Sequence, residues 1–254
     1  MMQSLKISAK NLGYTALADF CPRCYWIKIH TGHKLPWQTF PGIFSSIDAY
    51  TKSCVHHIID NHKHKMERAV CDLNEEPKLP NWMAEVGDIV SYEPIPHFSK
   101  NLFTDAKSNI ILSGIPDDIW TRADGSKAIV DFKTAKKSQT QDILYPMYEV
   151  QNNVYDVLFN YHADLYLIYM EPLTDKSTAS CNIIDVGFNM GFNAVVVPVV
   201  NDRKVVREAL SKTREIYEME KPPDSRSGCK DCDNLDKIIG LLGMGKVSNA
   251  ELEE

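Results

Sequence analysis

The chain has 254 residues, enough to bury one sizeable core, and its 44% hydrophobic and 24% charged residues exclude wholesale disorder. Its formal charge of -6 argues against indiscriminate wrapping of nucleic acid, but residues 1–70 carry nine Lys or Arg against four Asp or Glu, so a local basic face is expected there. No apolar run reaches the roughly 18 residues that a membrane span needs and residues 1–10 lack the apolar core of a signal peptide, so we expect a cytoplasmic protein with no membrane partner.

Helical and strand patterns alternate along the chain. A helical pattern over residues 8–29 is interrupted at Pro22, a loop over residues 32–42 follows, and a long helical pattern covers residues 43–70. The later predicted elements are a strand over 88–93, a helix over 145–159, strands over 165–170 and 194–200, and an amphipathic helix over 203–219. This order predicts an α/β fold, a mixed central β-sheet flanked by helices, in one domain over residues 1–239 with a mobile tail over 240–254.

Between the strand at 88–93 and the helix at 145–159 lie two short apolar segments, Ile110–Ile115 and Lys127–Lys133, which are rich in Ile and Val. Both segments have the composition of strands, and the Asp124-Gly125 dipeptide between them is a strong hairpin signal. We therefore expect the two segments to pair as an antiparallel ladder.

This hairpin predicts a cluster of charged side chains. Side chains i and i+2 share a face of a strand, so Asp131 and Lys133 should point the same way while Phe132 enters the core. If Asp117 converges on them, the group suits a hard divalent cation that activates a water. The adjacent Asp118 is the alternative ligand, and an exposed ion pair of little energetic value is the competing interpretation.

Four cysteines form two Cys-x-x-Cys pairs near opposite ends of the chain, Cys21 with Cys24 and Cys229 with Cys232. Four thiolates in two chelating pairs match either tetrahedral zinc or a four-iron cluster, and the softness of the ligands does not separate the two. A metal bound there would close a loop of about 200 residues and join the N- and C-terminal regions.

Five short motifs resemble those of a known family when they are taken together and in order. They are Cys21-Pro22-Arg23, His56 within Ser53–Asp60, Gly114-Ile115-Pro116-Asp117, Val130-Asp131-Phe132-Lys133-Thr134 and Gln151-x-x-x-Tyr155. The family is the PD-(D/E)XK nuclease superfamily, in particular the RecB-like branch that includes the CRISPR-associated four-cysteine exonucleases and the AddB nuclease domain. The resemblance implies a restriction-endonuclease-like core that hydrolyses phosphodiester bonds of DNA as an exonuclease or in single-strand-end processing.

The resemblance also implies roles for individual residues. The implied ligands of Mg²⁺ or Mn²⁺ are His56, Asp117, Asp131 and the main-chain carbonyl of Phe132. Asp117, Asp131 and Lys133 would be the catalytic residues, with Lys133 helping to activate the attacking water. Gln151 and Tyr155, which share a helical face at i and i+4, would contact substrate or the groups behind it.

The cofactors and partners follow from the same resemblance. The cysteines Cys21, Cys24, Cys229 and Cys232 would hold a [4Fe-4S] cluster, with Zn²⁺ as the alternative. The expected partners are DNA, single-stranded or with free ends, and other proteins of a DNA-processing complex.

Two features of the sequence depart from this branch. Lys52 or Ser53 stands where the branch has a glycine before its histidine, so His57 stays open as an alternative to His56. The branch has one cysteine near the start and three near the end, whereas this chain has two and two. The choice between an iron-sulfur cluster and zinc therefore stays open.

Two other functions fit parts of the sequence. One is a nucleic-acid-binding or assembly module that cleaves nothing and uses the cysteines as a structural metal site. The other is a zinc hydrolase built on His56, Asp60 and His64, which fall at i, i+4 and i+8 on one helical face.

Overall fold

The structure is a computed structural model, and it describes residues 3–32, 42–69, 78–94, 102–174, 183–184, 187–188 and 190–250. The helices are α1 (Ala9–Gly13), α2 (Pro22–His30), α3 (Ile43–Ala69), α4 (Asn81–Ala84), α5 (Gln139–Phe159), α6 (Arg203–Tyr217) and α7 (Lys230–Ala250). The strands are β1 (Leu5–Ser8), β2 (Ile89–Tyr92), β3 (Leu102–Asp105), β4 (Ile110–Ser113), β5 (Asp118–Arg122), β6 (Lys127–Lys133), β7 (Asp164–Pro172), β8 (Ile183–Ile184), β9 (Gly187–Phe188) and β10 (Phe192–Val199). Most of the predicted loop over 32–42 lies outside the described residues.

Within the described residues, the central sheet has five strands in the order β10-β7-β6-β5-β2. Its β6 and β7 run parallel, with α5 as the crossover between them, whereas its other neighbours are antiparallel. A second sheet has the order β1-β4-β3, with β1 parallel to β4. The predicted α/β fold with a mixed sheet flanked by helices is confirmed.

The predicted pairing of Ile110–Ile115 with Lys127–Lys133 is wrong. The hairpin that contains Asp124-Gly125 joins β5 to β6, while β4 lies in the second sheet between β1 and β3. The chain passes from one sheet to the other over Gly114–Asp117, where Pro116 has no N–H to donate to a ladder. The short strand β5, which lies between this passage and the Asp124-Gly125 turn, therefore pairs with β6 in place of Ile110–Ile115.

Buried apolar residues cover both faces of the central sheet. On one face, Ile129 of β6 packs in a cluster with α1, α2, α5 and α6; on the other, Val130 packs with α3 and α4. A strand buried on both faces is held rigidly, so residues at its end have a firm support. Among the described helices, none combines the length and the apolar character needed to cross a membrane.

The helix boundaries can be compared with the predictions at three points. Pro22 occupies the first turn of α2, where its missing N–H breaks no helical hydrogen bond, so the predicted interruption there is confirmed. Helix α5 begins at Gln139, before the predicted Tyr145, because its polar first turns lack apolar periodicity. Residues 240–250 belong to α7, residues 251–254 lie outside the description, and the mobility of this tail stays a prediction.

Candidate active site and cysteine centre

The adjacent ends of β5 and β6 carry the predicted carboxylates and lysine. Alternation along β6 turns Asp131 and Lys133 toward α5, whereas Phe132 packs in the core on the α3 side. Asp117 immediately precedes β5, and its Oδ2 accepts a hydrogen bond of 2.8 Å from the backbone N–H of Phe132. The structure thus brings Asp117 to β6, although β5 and not β4 is the strand that holds it there.

Asp131 and Lys133 form a buried ion pair. Asp131 is only 2% exposed, and its Oδ2 contacts Nζ of Lys133. Burial, with the nearby charge of Asp117, outweighs the attraction of Lys133 and raises the pKa of Asp131 to about 6. Burial alone would lower the pKa of Lys133, but its attraction to Asp131 and Asp117 raises it. The lysine is therefore a cation at neutral pH.

Helix α5 holds the carboxylate of Asp131 in place through a hydrogen bond. Gln151 Nε2 donates to Asp131 Oδ1 at 3.2 Å and to the hydroxyl of Tyr155 at 2.7 Å, and both α5 residues are buried. A Cβ on Gly114 would lie 2.8 Å from Cε1 of Tyr155, so the absence of a side chain lets the end of β4 approach this ring. The geometry favours a role for Gln151 and Tyr155 in positioning Asp131 over direct contact with substrate.

His56 faces the sheet, and the carboxylate that it contacts is that of Asp118, the alternative ligand. Its Nε2 lies 2.9 Å from Oδ2 of Asp118, and its ring stacks on Tyr92 with centroids 3.8 Å apart. Burial raises the pKa of Asp118, although hydrogen bonds from Trp120 and His56 oppose this. His57 instead is exposed and bonds to its own helix. Among the described contacts, His56 pairs with Asp118, while Asp117 pairs with Lys52 and with the backbone of Phe132.

The histidine run does not assemble a site in the described part of the chain. Asp60 accepts a hydrogen bond of 3.3 Å from the hydroxyl of Tyr92, and the side chain of His64 lies outside the description. Among the described residues, the four cysteines are the only set of three or more His, Cys, Asp or Glu whose ligand atoms all lie within 4.8 Å of one another. The zinc-hydrolase hypothesis gains no support from this arrangement.

Two residues of the site were missed in the sequence. Lys52 Nζ lies 2.8 Å from Oδ1 of Asp117 and 3.0 Å from Oδ2 of Asp48. Asp48, Lys52 and His56 fall at i, i+4 and i+8 of α3, so they share the helical face that looks onto the sheet. That spacing was visible in the sequence, but only the tertiary fold shows that the face meets Asp117.

A cavity of about 540 Å³ opens next to this cluster. Lys133 and Asp48 lie at its edge, and Lys10, Phe44 and Tyr148 contribute further lining. The Lys133 ammonium lies 4.5 Å from the ring centroid of Tyr148. The cavity therefore presents cationic and aromatic side chains beside the buried carboxylates.

The carboxylate cluster fits a hard divalent cation at Asp117 and Asp131. Carboxylate oxygens are the donors that Mg²⁺ and Mn²⁺ prefer. Oδ2 of Asp131 is held by the ammonium of Lys133, whereas Oε1 of Gln151 is buried and has no hydrogen-bond partner among the described residues. A buried acceptor that lacks a donor favours a cation nearby.

The four cysteines meet where α2 and α7 begin. Cys24 Sγ lies 3.3 Å from Cys232 Sγ and 3.5 Å from Cys229 Sγ, and Cys21 Sγ lies 3.6 Å from Cys232 Sγ. All four sulfurs lie within 4.8 Å of one another. The predicted four-cysteine site that joins the N- and C-terminal regions is confirmed, and it could hold a metal ion.

The thiols of this centre differ in acidity. Burial opposes ionisation of Cys21, but hydrogen bonds from the backbone N–H groups of Cys24 and Arg226 and from two thiols lower its pKa to about 7. Burial raises the pKa of Cys24, and it raises that of Cys232 to about 12. One thiol therefore ionises near neutral pH, while others keep their protons until a cation compensates the charge.

Polar contacts close the two helices around the sulfurs. Arg23 of α2 donates two hydrogen bonds, of 2.9 and 2.6 Å, to the carboxylate of Asp236 in α7. Arg226 donates through its backbone N–H to Cys21 Sγ at 3.4 Å and through Nε to the carbonyl of Asp19 at 2.9 Å. The two ends of the described chain are thus joined by side chains as well as by the thiols.

Comparison with known proteins identifies no family for this chain. No family model matches the chain, and no curated protein matches it. A solved structure titled "Crystal structure of SSO0001" is similar with a TM-score of 0.35 and 12% sequence identity, over 88% of this chain and 81% of that chain. A likeness this low carries no argument, so the function has to be inferred from the residues of the site.

Proposed function

We propose that this chain is a divalent-metal-dependent deoxyribonuclease of the PD-(D/E)XK type. The observation that carries the proposal is the convergence of Asp117 with the buried pair of Asp131 and Lys133 beside a cavity of about 540 Å³. Phosphodiester hydrolysis needs a hard cation and a nearby positive charge at the reacting phosphate, and this cluster offers the ligands for the first and supplies the second.

Each residue of the cluster has a distinct role in this proposal. Asp117 and Asp131 hold Mg²⁺ or Mn²⁺, which when bound stabilises charge on the phosphate and lowers the pKa of a water. Lys133 stays protonated and donates to the attacking water or to a phosphate oxygen. Gln151 fixes Oδ1 of Asp131 through its 3.2 Å hydrogen bond, so that Oδ2 faces Lys133.

The lining of the cavity supports single-stranded DNA or DNA ends as the substrate. Phe44 is exposed and offers an aromatic surface, and Lys10 adds a cation to the same lining. Aromatic faces combined with positive charge bind single strands without reading their sequence, because every base has a face on which to stack. Cleavage rates on blunt duplex and single-stranded substrates of equal length would separate a preference for DNA ends from one for single strands.

The test is cleavage of single-stranded and duplex DNA with Mg²⁺ or Mn²⁺. Asp131→Asn and Lys133→Met should each reduce the rate by about 100-fold or more, with circular dichroism unchanged, because each removes a group that acts on the reacting atoms. Lys127→Met is the matched control, since Lys127 lies at the other end of β6 in an ion pair with Glu93. Equal cleavage by all four proteins would contradict the assignment.

A module that binds nucleic acid without cleaving it is the alternative. The observation compatible with it is that Lys52 and Lys133 already neutralise Asp117 and Asp131, so the cluster holds together without a metal. Binding of DNA without turnover across Mg²⁺, Mn²⁺ and Ca²⁺ would favour this alternative.

For the cysteine centre, we propose a single Zn²⁺. The resemblance implies a [4Fe-4S] cluster, but a cube of iron and sulfide holds its four thiolates farther apart than one ion does. Four thiolates around one tetrahedral ion, each about 2.3 Å from the zinc, are about 3.8 Å from one another. Three of the six Sγ–Sγ separations are 3.3 to 3.6 Å, close to that value, and all six are within 4.8 Å.

Metal analysis of protein purified without oxygen tests this assignment. A colourless sample with one zinc per chain is expected. A brown sample with four irons per chain would contradict zinc and support the cluster. Cys54→Ser is the control, because Cys54 is exposed on α3 and should leave the metal content unchanged.

A further inference from the structure

The charges around Lys52 nearly balance among the described residues. Three carboxylates, those of Asp48, Asp117 and Asp131, lie with the two ammonium groups of Lys52 and Lys133. One divalent cation and one phosphodiester anion would bring this cluster to neutrality. A second divalent cation would leave two positive charges without partners in a half-buried site, which is unfavourable.

Lys52 also blocks the geometry that two ions need. Two-ion sites hold their ions about 3.5–4 Å apart, commonly with a carboxylate between them. Oδ1 of Asp117 contacts Nζ of Lys52 at 2.8 Å, and Oδ2 accepts from the backbone N–H of Phe132. Oδ2 keeps a lone pair for one ion, whereas an ion at Oδ1 would lie against the ammonium of Lys52 and be repelled by it.

We propose that Lys52 is a built-in cation that stands where a two-ion nuclease binds its second metal, so that this site binds one divalent cation. The inference rests on the proposed nuclease function. The ammonium of Lys52 supplies beside Asp117 the positive charge that a second ion would otherwise bring to the phosphate. The Lys52 side chain is 29% exposed and bridges two carboxylates. Because its charge belongs to the protein chain, dilution or chelation cannot remove it.

The test is the number of Mn²⁺ ions that the full chain binds by calorimetry, with its cysteine centre as purified. Wild type should bind one Mn²⁺, and Asp131→Asn should abolish that binding. Lys52→Met should bind two, because it frees the Oδ1 side of Asp117. Lys52→Arg, which keeps the charge, and the control Lys127→Met should each bind one.

The outcomes separate this inference from the nuclease assignment. Two ions on wild type, or one ion on a folded Lys52→Met, would overturn the role of Lys52 and leave the nuclease standing. No Mn²⁺ at Asp131 together with no cleavage would overturn both. If Lys52→Met does not fold, Lys52→Gln replaces it. The wild-type rate should also rise with Mn²⁺ as a single-site curve, and a second-order dependence would count against the proposal.

Discussion

The two candidate metal sites of this chain achieve charge balance in opposite ways. At the active site, Asp117 and Asp131 lie against the ammonium groups of Lys52 and Lys133, so the folded cluster is nearly neutral before any cation arrives. The cysteine centre gathers four thiols, of which Cys24 and Cys232 keep their protons until a cation compensates the charge. The first site should therefore fold with or without its metal, whereas the second should depend on its metal for stability.

The largest expected effect is on the cysteine centre. Cys232→Ser should lower the free energy of unfolding by up to about 5 kcal/mol, the value that loop-closure models give for cross-links over about 200 residues. Urea unfolding of the two proteins measures the difference. Removal of the metal by a strong chelator should bring wild type down to the level of the variant.

The matched control for this change is Cys54→Ser, at an exposed thiol of α3. Its stability should stay within about 0.5 kcal/mol of wild type, as is usual for surface substitutions. If Cys54→Ser and Cys232→Ser unfold alike, the metal does not hold the two ends together and the contrast between the sites is lost.

A smaller effect is expected from the pH dependence of Asp131, measured with a chelator present. Its pKa in the folded chain is raised from 3.8 to about 6, mainly by burial. The folded state therefore binds more protons than the unfolded state in this window, and stability is lost as pH rises from about 4 through about 6.

Asp131→Asn removes this titration. At about 1.4 kcal/mol per pKa unit, the variant should gain up to about 3 kcal/mol over wild type between pH 4 and pH 7.5. Other groups titrate in both proteins, so the difference between the two curves reports Asp131. Parallel curves would mean that the attraction of Lys133 fully offsets the effect of burial on the pKa of Asp131.

The smallest effect tests the support behind the active site. Gly114→Ala should lower the free energy of unfolding by about 1–3 kcal/mol, because the new Cβ would lie 2.8 Å from the ring of Tyr155. Gly42→Ala is the control, since a Cβ there meets nothing within 4 Å. The metal content of the cysteine centre should not change in either variant, and a loss there would mean that the two sites are coupled.

Local patterns were sufficient for some parts of the molecule. The β6 strand could be read from its Ile and Val content, the shared face of Asp131 and Lys133 from the period of two, and the cysteine pairs from their spacing. The partner of β6 could not, because β5 is short and mixes Asp118 and Arg122 with apolar residues, so that it lacks the pattern of a strand. A longer apolar segment nearby gave a stronger but misleading signal.

The contacts that give the site its character depend on long-range packing. His56 meets Asp118 and Lys52 meets Asp117 only because α3 packs across the end of β5, more than sixty positions along the chain. No local pattern encodes that crossing, since helix and strand each satisfy their own periodicity wherever they pack. The residue types of a reaction could thus be read from the sequence, but the ion pairs that tune them could not.

The distance along the chain between the two cysteine pairs has a consequence for biosynthesis. Cys24 and Cys229 are 205 residues apart, so at ribosomal rates of 5–20 residues per second about 10–40 s pass between their appearances. During that interval Cys21 and Cys24 form a chelating pair with no second half. Loading of a metal by all four cysteines would therefore be a late event in the life of each new chain, with the first pair kept reduced until the second arrives.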